Sequence, residues 1–373
     1  MAHRTKLVVA AVTTAVVVSV AVISVVTIRG DDGAESPTVE LGGMAMSRAE
    51  LRDLGIERMG GPLEDVELAS ARTVREDDGT LRGGTRSFEI EARPVRWEYR
   101  DGQTVAAWAY DGAVPGPVLR AIEGERIRVT VSNALPEPTT VHWHGVDVPW
   151  TEDGVPGVTQ DPIEPGARRT YEFSATPAGT RWYHTHGSSA GDEASQLDMG
   201  LAGALVIEPR RRTAPADVDQ VLVLDEWQVG AGGYNAAMMD GPGHAAHDAP
   251  YNVFTINGRA APDVPDIVVD RGQRVRLRMV NASTMNYHPM HLHGHQFRVV
   301  ALDGNPVPVP QLRNVVLLAP GETADVEFVA DNPGVWMLHC HDLHHAGGGM
   351  HQLVRYRGYE PIGTEQGDHG GGH

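Results

Sequence analysis

Four short stretches concentrate the histidines of this chain: His142-Trp143-His144, His184-Thr185-His186, His288-Pro289-Met290-His291-Leu292-His293, and His339-Cys340-His341 followed by His345 and Met350. In an extended strand, residues i and i+2 face the same side, so each His-x-His pair aims two imidazoles at one place. Four such pairs supply eight imidazoles, enough for three metal ions close together and too many for one. Cys340 lies between His339 and His341, so its sulfur faces the opposite side of that strand. His288 is three residues from His291 and also has the opposite parity. Cys340, His288, His345 and the thioether of Met350 therefore form a second, separate donor set. Two imidazoles, a thiolate and a weak axial thioether are the ligands of an electron-transfer copper, whereas zinc has no use for a thioether and cannot change redox state. The eight remaining imidazoles also suit copper among first-row metals. The backbone between Cys340 and its flanking histidines is a short covalent path, so electrons collected singly at one site can reach the other. Four of them there reduce O2 to water.

These donors sit in a chain of 373 residues, 41% apolar and 21% charged, with 43 Gly and 25 Pro. Gly and Pro together make 18% of the chain, well above average usage of about 12%, which favours a loop-rich protein built of strands. The formal charge is −18, with 31 basic against 49 acidic residues. That excludes a nucleic-acid binder, which needs a basic surface. A single Cys excludes an internal disulfide and any Cys-rich zinc or iron–sulfur site.

From Ser87 onward, short apolar runs are cut by Gly, Pro and Asp at intervals of roughly 8–12 residues, the pattern of a β-sandwich. The runs Arg126 to Val131 and Arg274 to Met279 alternate strictly. A second cycle of strands begins near Val221, after the polar segment Arg210 to Asp217. Each cycle has an early alternating strand, a His-rich strand, a turn rich in Gly or Pro, and a second His-rich strand. The repeat predicts an all-β protein with two related sandwich domains, 86–209 and 218–358, and a disordered Gly- and His-rich tail over 359–373.

At the N-terminus, Leu7 to Ile28 is an uncharged run of 22 residues, about 33 Å long as a helix and enough to span a bilayer core. Arg4 and Lys6 precede it. Residues 1–29 therefore read as a signal peptide or an N-terminal membrane anchor, and either places the rest of the chain outside the cytoplasm. Residues 30–85 read as a polar stalk. Within it, Ser47-Arg-Ala-Glu50 is a capping box that opens a helix running to about Arg58.

Taken together, the four motifs resemble those of the multicopper oxidase family, which includes laccases, metallo-oxidases and ascorbate oxidases. The resemblance runs from Tyr110-Asp-Gly-Ala-Val-Pro-Gly-Pro117 to Met350, without a missing ligand. It implies cupredoxin-like Greek-key domains and four coppers per subunit. His142 and His291 would hold the type 2 copper, and His144, His184, His186, His293, His339 and His341 the type 3 pair. Cys340, His288, His345 and Met350 would hold the type 1 copper. Most members have three domains, and this chain has room for two. The sole Cys puts the type 1 copper in the second domain, so the chain resembles the two-domain, laccase-like group. That likeness implies a homotrimer whose cluster ligands come from domain 1 of one subunit and domain 2 of its neighbour.

Reducing O2 also consumes protons, so a carboxylate should stand near the cluster. Asp153, in Glu-Asp-Gly-Val-Pro-Gly, occupies the position that resembles the family's proton-donating acid, and Asp147 is a second candidate. A plain turn accounts equally well for Asp153-Gly154. An axial Met350 favours easily oxidised reductants: phenols first, Cu(I) or other metal ions second. Met238, Met239, His244 and His247 form a soft-ligand stretch that could guide Cu(I), although an ordinary Ala- and Gly-rich loop is the preferred reading. His295 and His344 read as supporting or solvent-facing residues. Two other classes stay open. A copper nitrite reductase should lack the eight-His cluster, and a copper-sequestering protein would not need a buried His-Cys-His strand.

Overall fold

Strict alternation sends every second side chain into a core, and the strands built from such runs frame this molecule. In the computed structural model, which describes residues 38–41, 44–189, 192–211, 215–239 and 251–362, strand Arg126–Asn133 buries Ile127, Val129 and Val131. Strand Arg274–Asn281 does the same with Val275, Leu277 and Met279.

The first sandwich pairs two sheets. One has the order His142–His144, Gly179–His184, Ala202–Glu208, Gly116–Ile122, Glu76–Asp77. The other centres on the long strand Thr85–Arg100, flanked by Arg126–Asn133 and Gln103–Tyr110. Phe88, Ile127 and Tyr171 from the second sheet meet Leu119, Trp143 and Tyr183 from the first in one core. Antiparallel pairs alternate with parallel ones: Ala202–Glu208 runs parallel to Gly116–Ile122, which requires the chain to cross between sheets.

The second sandwich repeats the plan. Its six-stranded sheet has Val218–Trp227 between Val253–Ile256 and Arg274–Asn281, and continues through Thr323–Val329, Phe297–Leu302 and Asn305–Arg313. Its five-stranded sheet has the order Ile267–Val269, His351–Tyr356, Val335–Cys340, His288–Leu292, Val315–Leu318. Leu222, Phe254 and Leu277 from one sheet pack with Met290, Leu338 and Cys340 from the other.

Two apolar clusters join the sandwiches, one around Trp97, Ala107 and Trp227, the other around Val118, Trp182, Val221 and Val280. Between them, the buried Arg278 of the second sandwich pairs with Asp219 at 2.7 Å, Asp325 at 3.4 Å and Glu208 of the first sandwich at 3.3 Å. A guanidinium taken out of water needs that many acceptors.

The segment expected as a stalk, 30–85, is not a spacer where it is described. Ser47 and Glu50 form the expected reciprocal capping box, at 2.7 and 3.2 Å, and the helix Arg48–Met59 ends on Gly60 in the left-handed region. Its Met59 and the following Leu63 then enter the first core. Leu68–Ala69 pairs in parallel with Arg96–Trp97, and Glu76–Asp77 with Val118–Leu119. Strands of two residues carry no periodicity, so a polar composition hid them. The apolar run Leu7 to Ile28 and most of the tail lie outside the described residues; among the described residues, no helix is long and apolar enough to cross a membrane.

Candidate metal centre

Strand pairing sets the centre. Met290 stands opposite Cys340 and His291 opposite His339 on adjacent antiparallel strands. Alternation then separates the two kinds of donor. His288, Met290 and Cys340 point into the second core and are fully buried, while His291, His293 and His341 lie on the outer face, the last two exposed.

On the core side, the Cys340 thiol is 3.8 Å from His288 Nδ1 and 3.6 Å from His345 Nδ1. These three donors lie within 4.8 Å of one another. Met350 is fully buried in the same core, and its carbonyl accepts from Cys340 N–H at 3.0 Å. Burial pushes the thiol up to about 12 and His288 down to about 3. A neutral imidazole keeps the lone pair a metal needs, and a thiol so hard to ionise favours a cation beside it. His288 Nε2 is held at 2.7 Å by Ser283 Oγ, which leaves Nδ1 to face the sulfur. The buried Glu226, pushed up to about 8 by desolvation, lies 3.8 Å from that same Nε2 and accepts from Asn286 at 2.9 Å. His345 stacks on Phe254, with ring centroids 4.2 Å apart.

On the outer face of the second sandwich, His291, His293 and His339 form a group within 4.8 Å, with His293 Nε2 and His339 Nε2 3.0 Å apart. His339 Nδ1 donates to its neighbour's carbonyl at 2.8 Å and His291 Nδ1 to Asn314 O at 2.5 Å, so each neutral ring keeps its lone pair on Nε2. The His341 ring lies 5.6 Å from that of His291.

The first sandwich carries the matching quartet. His142 stands opposite His184 across the strand pair. His142, His144 and His184 group within 4.8 Å, and His144 Nδ1 faces His184 Nε2 at 3.4 Å. Burial pushes His144 down to about 4 and His184 well below its ordinary value, with the neighbouring imidazoles adding to the effect. His184 stacks on Trp182 at 4.2 Å. His186 stands outside the trio, its ring 5.9 Å from that of His142 and its Nε2 3.2 Å from Glu193.

Among the described residues, the imidazole–imidazole contacts of each quartet are with members of the same quartet, so these histidines stand in two groups, one per sandwich. Of the two candidate acids, Asp153 touches the first half-site: its carbonyl is 2.7 Å and its carboxylate 3.3 Å from His142 Nδ1. Gly154 makes this possible, because a Cβ there, at φ +86°, would stand 1.9 Å from Val141 O. Asp147 is exposed beside Arg181, and among the described residues no contact links it to an imidazole. Met238, read in the soft-ligand stretch, is buried in the first core, while His244 and His247 lie outside the described residues. His295 bonds to the Tyr356 hydroxyl at 2.8 Å and His344 to Tyr251 O at 3.2 Å. Ser283, Glu226 and Glu193 were missed in the sequence, where nothing near the His motifs marks them, because their contacts are made by folding.

The donors fit copper. The core site offers a soft thiol and two imidazoles, with Met350 buried in the same core, and the half-sites group imidazoles. Comparison with known proteins agrees. Residues 91–212 and 237–357 each match a family model described as multicopper oxidase. Laccase-1 of Cryptococcus neoformans var. grubii is 32% identical over 323 residues, covering 75% of this chain and 50% of that protein. A blue copper oxidase from Nitrosomonas europaea is 32% identical, with a TM-score of 0.66 over 73% of this chain and 86% of that one. The multicopper oxidase mgLAC, also 32% identical, has a TM-score of 0.68 over 76% and 89%. The chain spans about half the length of the curated relatives it matches. With two matched domains, the donor set and these relatives, the chain belongs to the multicopper oxidase family.

Proposed function

We propose that this chain is a laccase-like oxidase, coupling one-electron oxidation of phenols at a type 1 site to four-electron reduction of O2 to water at a three-copper cluster, with four coppers per chain. The observation that carries the reading is the alternation at His339-Cys340-His341, which joins a buried thiol site to an open imidazole site within one strand. Copper held at these donors would supply one-electron chemistry. Cys340 and its peptide bonds to His339 and His341 give the covalent connection between the sites. Ser283 and Phe254 fix the rings of His288 and His345, and the core keeps water from the thiol. Asp153 holds a proton acceptor beside His142.

Each quartet is half a cluster, and the second is partly exposed, so we propose that it meets the first quartet of another copy in a homotrimer. The protein would act outside the cytoplasm, secreted or held by residues 1–29. Oxygen consumption tests the reading: a phenol as reductant should drive it. Consumption with Cu(I) but not phenols would favour a metallo-oxidase, and turnover of nitrite without O2 uptake would favour a reductase.

A further inference from the structure

Trp150 opens the short turn Trp150–Glu152 beside the first quartet and is 69% exposed. Asp153 N–H closes that turn on Trp150 O at 3.3 Å, and the Asp153 carbonyl accepts from His142 Nδ1 at 2.7 Å. The backbone that holds His142 therefore also holds an indole out in water. So large an apolar ring is usually buried, and on a surface it is typically the anchor of an interface.

A matching depression lies beside the second quartet. Leu302, Val307, Val309, Val315 and Leu317 line an apolar groove of about 440 Å³ that also includes Arg313. Val309 is 75% exposed and Leu317 57%. The groove follows Asn305–Arg313, the edge strand of the six-stranded sheet. Pro306, Pro308 and Pro310 strip that strand of N–H donors, so it is ill suited to pair with an added strand. A side chain, not a strand, fits it. Between this strand and Val315–Leu318 stands Asn314, whose carbonyl accepts from His291 Nδ1 at 2.5 Å.

Each feature is thus tied to a histidine of its quartet through one backbone carbonyl: Trp150 through Asp153 to His142, the groove through Asn314 to His291. Quartets from two copies that face one another bring both carbonyls, and with them the indole and the groove, to one seam. The charges agree. Asp147 and Glu152 flank Trp150 in the chain, while the exposed Arg313 bonds to Gln311 and, among the described residues, to no carboxylate.

Resting on the reading of the two quartets as halves of one cluster, we propose that Trp150 of one copy fills the apolar groove of the next, with Arg313 meeting the acids beside it. The joint is then keyed by an indole as well as by metal, and copies assemble without copper.

Sedimentation of the full chain, with and without copper, tests this. Wild-type protein should be a trimer in both states. Trp150→Ala and Val309→Asp should each move dissociation to at least about tenfold higher protein concentration, with the circular dichroism unchanged. Trp150→Cys combined with Val309→Cys should form bridges between copies on mild oxidation, the native Cys340 being buried. Either cysteine alone should run as monomer on a denaturing gel without reductant. The cysteine pair decides the matter even where Val309→Asp fails to fold. Copper-free protein that falls to monomers, or a trimer that both variants leave intact with no bridge between copies, would overturn the proposal and leave the shared cluster standing. A bridge within one chain would overturn a second copy as the occupant. A wild-type monomer that holds four coppers would overturn the shared cluster, and this inference with it.

Discussion

Cys340 and His339 are neighbours in the chain, yet one faces the buried core and the other the imidazole group on the outer face of the same strand. A single strand thus serves two chemically distinct sites, one dry and soft, the other open and nitrogen-rich. Cys340→Ser should abolish the blue band and bring oxidation of phenols to background, while the imidazoles, on the other face, still bind copper. A blue band that survives the substitution would show that it does not arise from a thiolate-bound copper, since the chain has no other cysteine.

Asp153 reaches His142 through both its carbonyl and its carboxylate. Asp153→Asn keeps the turn and the carbonyl contact but removes the acid. Oxygen reduction should slow by about a hundredfold or more, measured as turnover at saturating reductant, with the blue band intact. An unchanged rate rules out the relay role and leaves Asp153 as a turn residue.

The two half-sites make a prediction about assembly. Subunits bearing His184→Ala and subunits bearing His293→Ala should each be inactive. Refolded together, they should regain activity, since about a quarter of the sites in a randomly mixed ring would join two intact halves. If the mixture stays inactive while wild-type protein refolds, the halves do not meet between subunits.

Leu63 lies in the first core, in a segment whose composition reads as a tether. Leu63→Ala should cost about 2–4 kcal/mol of stability, read from denaturant unfolding. A change near zero would mean that the segment packs without stabilising the sandwich.

The pair Arg86–Glu125, at 2.6 Å and largely shielded from water, links the strand Thr85–Arg100 to the turn before Arg126. The hydrogen bond from Arg86 holds the Glu125 carboxyl below its ordinary value of 4.5. Its stabilisation is therefore complete above that value and is lost as pH falls through the lower folded-state value. Glu125→Gln should cost about 1 kcal/mol at neutral pH, and the gap to wild type should close in acid. A gap that persists unchanged at low pH would show that the charge is not what matters.

Much of the centre was legible in the sequence because strand parity is an exact period of two. That parity separated Cys340 and His288 from His291, His339 and His341, and the structure makes the same division. The alternating strands and the capping box at Ser47 were legible for the same kind of reason, a short local pattern. What could not be read depends on how the chain folds back on itself. Glu226 reaches His288 across some sixty residues of chain and between two sheets, and Glu193 reaches His186 only because Gly187 permits the backbone to return. The short strands Leu68–Ala69 and Glu76–Asp77 are fixed by the sheet edges they meet rather than by their own sequence.

We propose that one chain holds both a thiolate copper and its share of an imidazole cluster. The most direct measurement is the copper content of the purified, oxidised protein together with its visible and near-ultraviolet spectrum. Four coppers per chain, an intense blue band and a near-ultraviolet shoulder are expected. Two coppers per chain with the blue band and no shoulder would contradict it, because the eight imidazoles would then build no coupled pair.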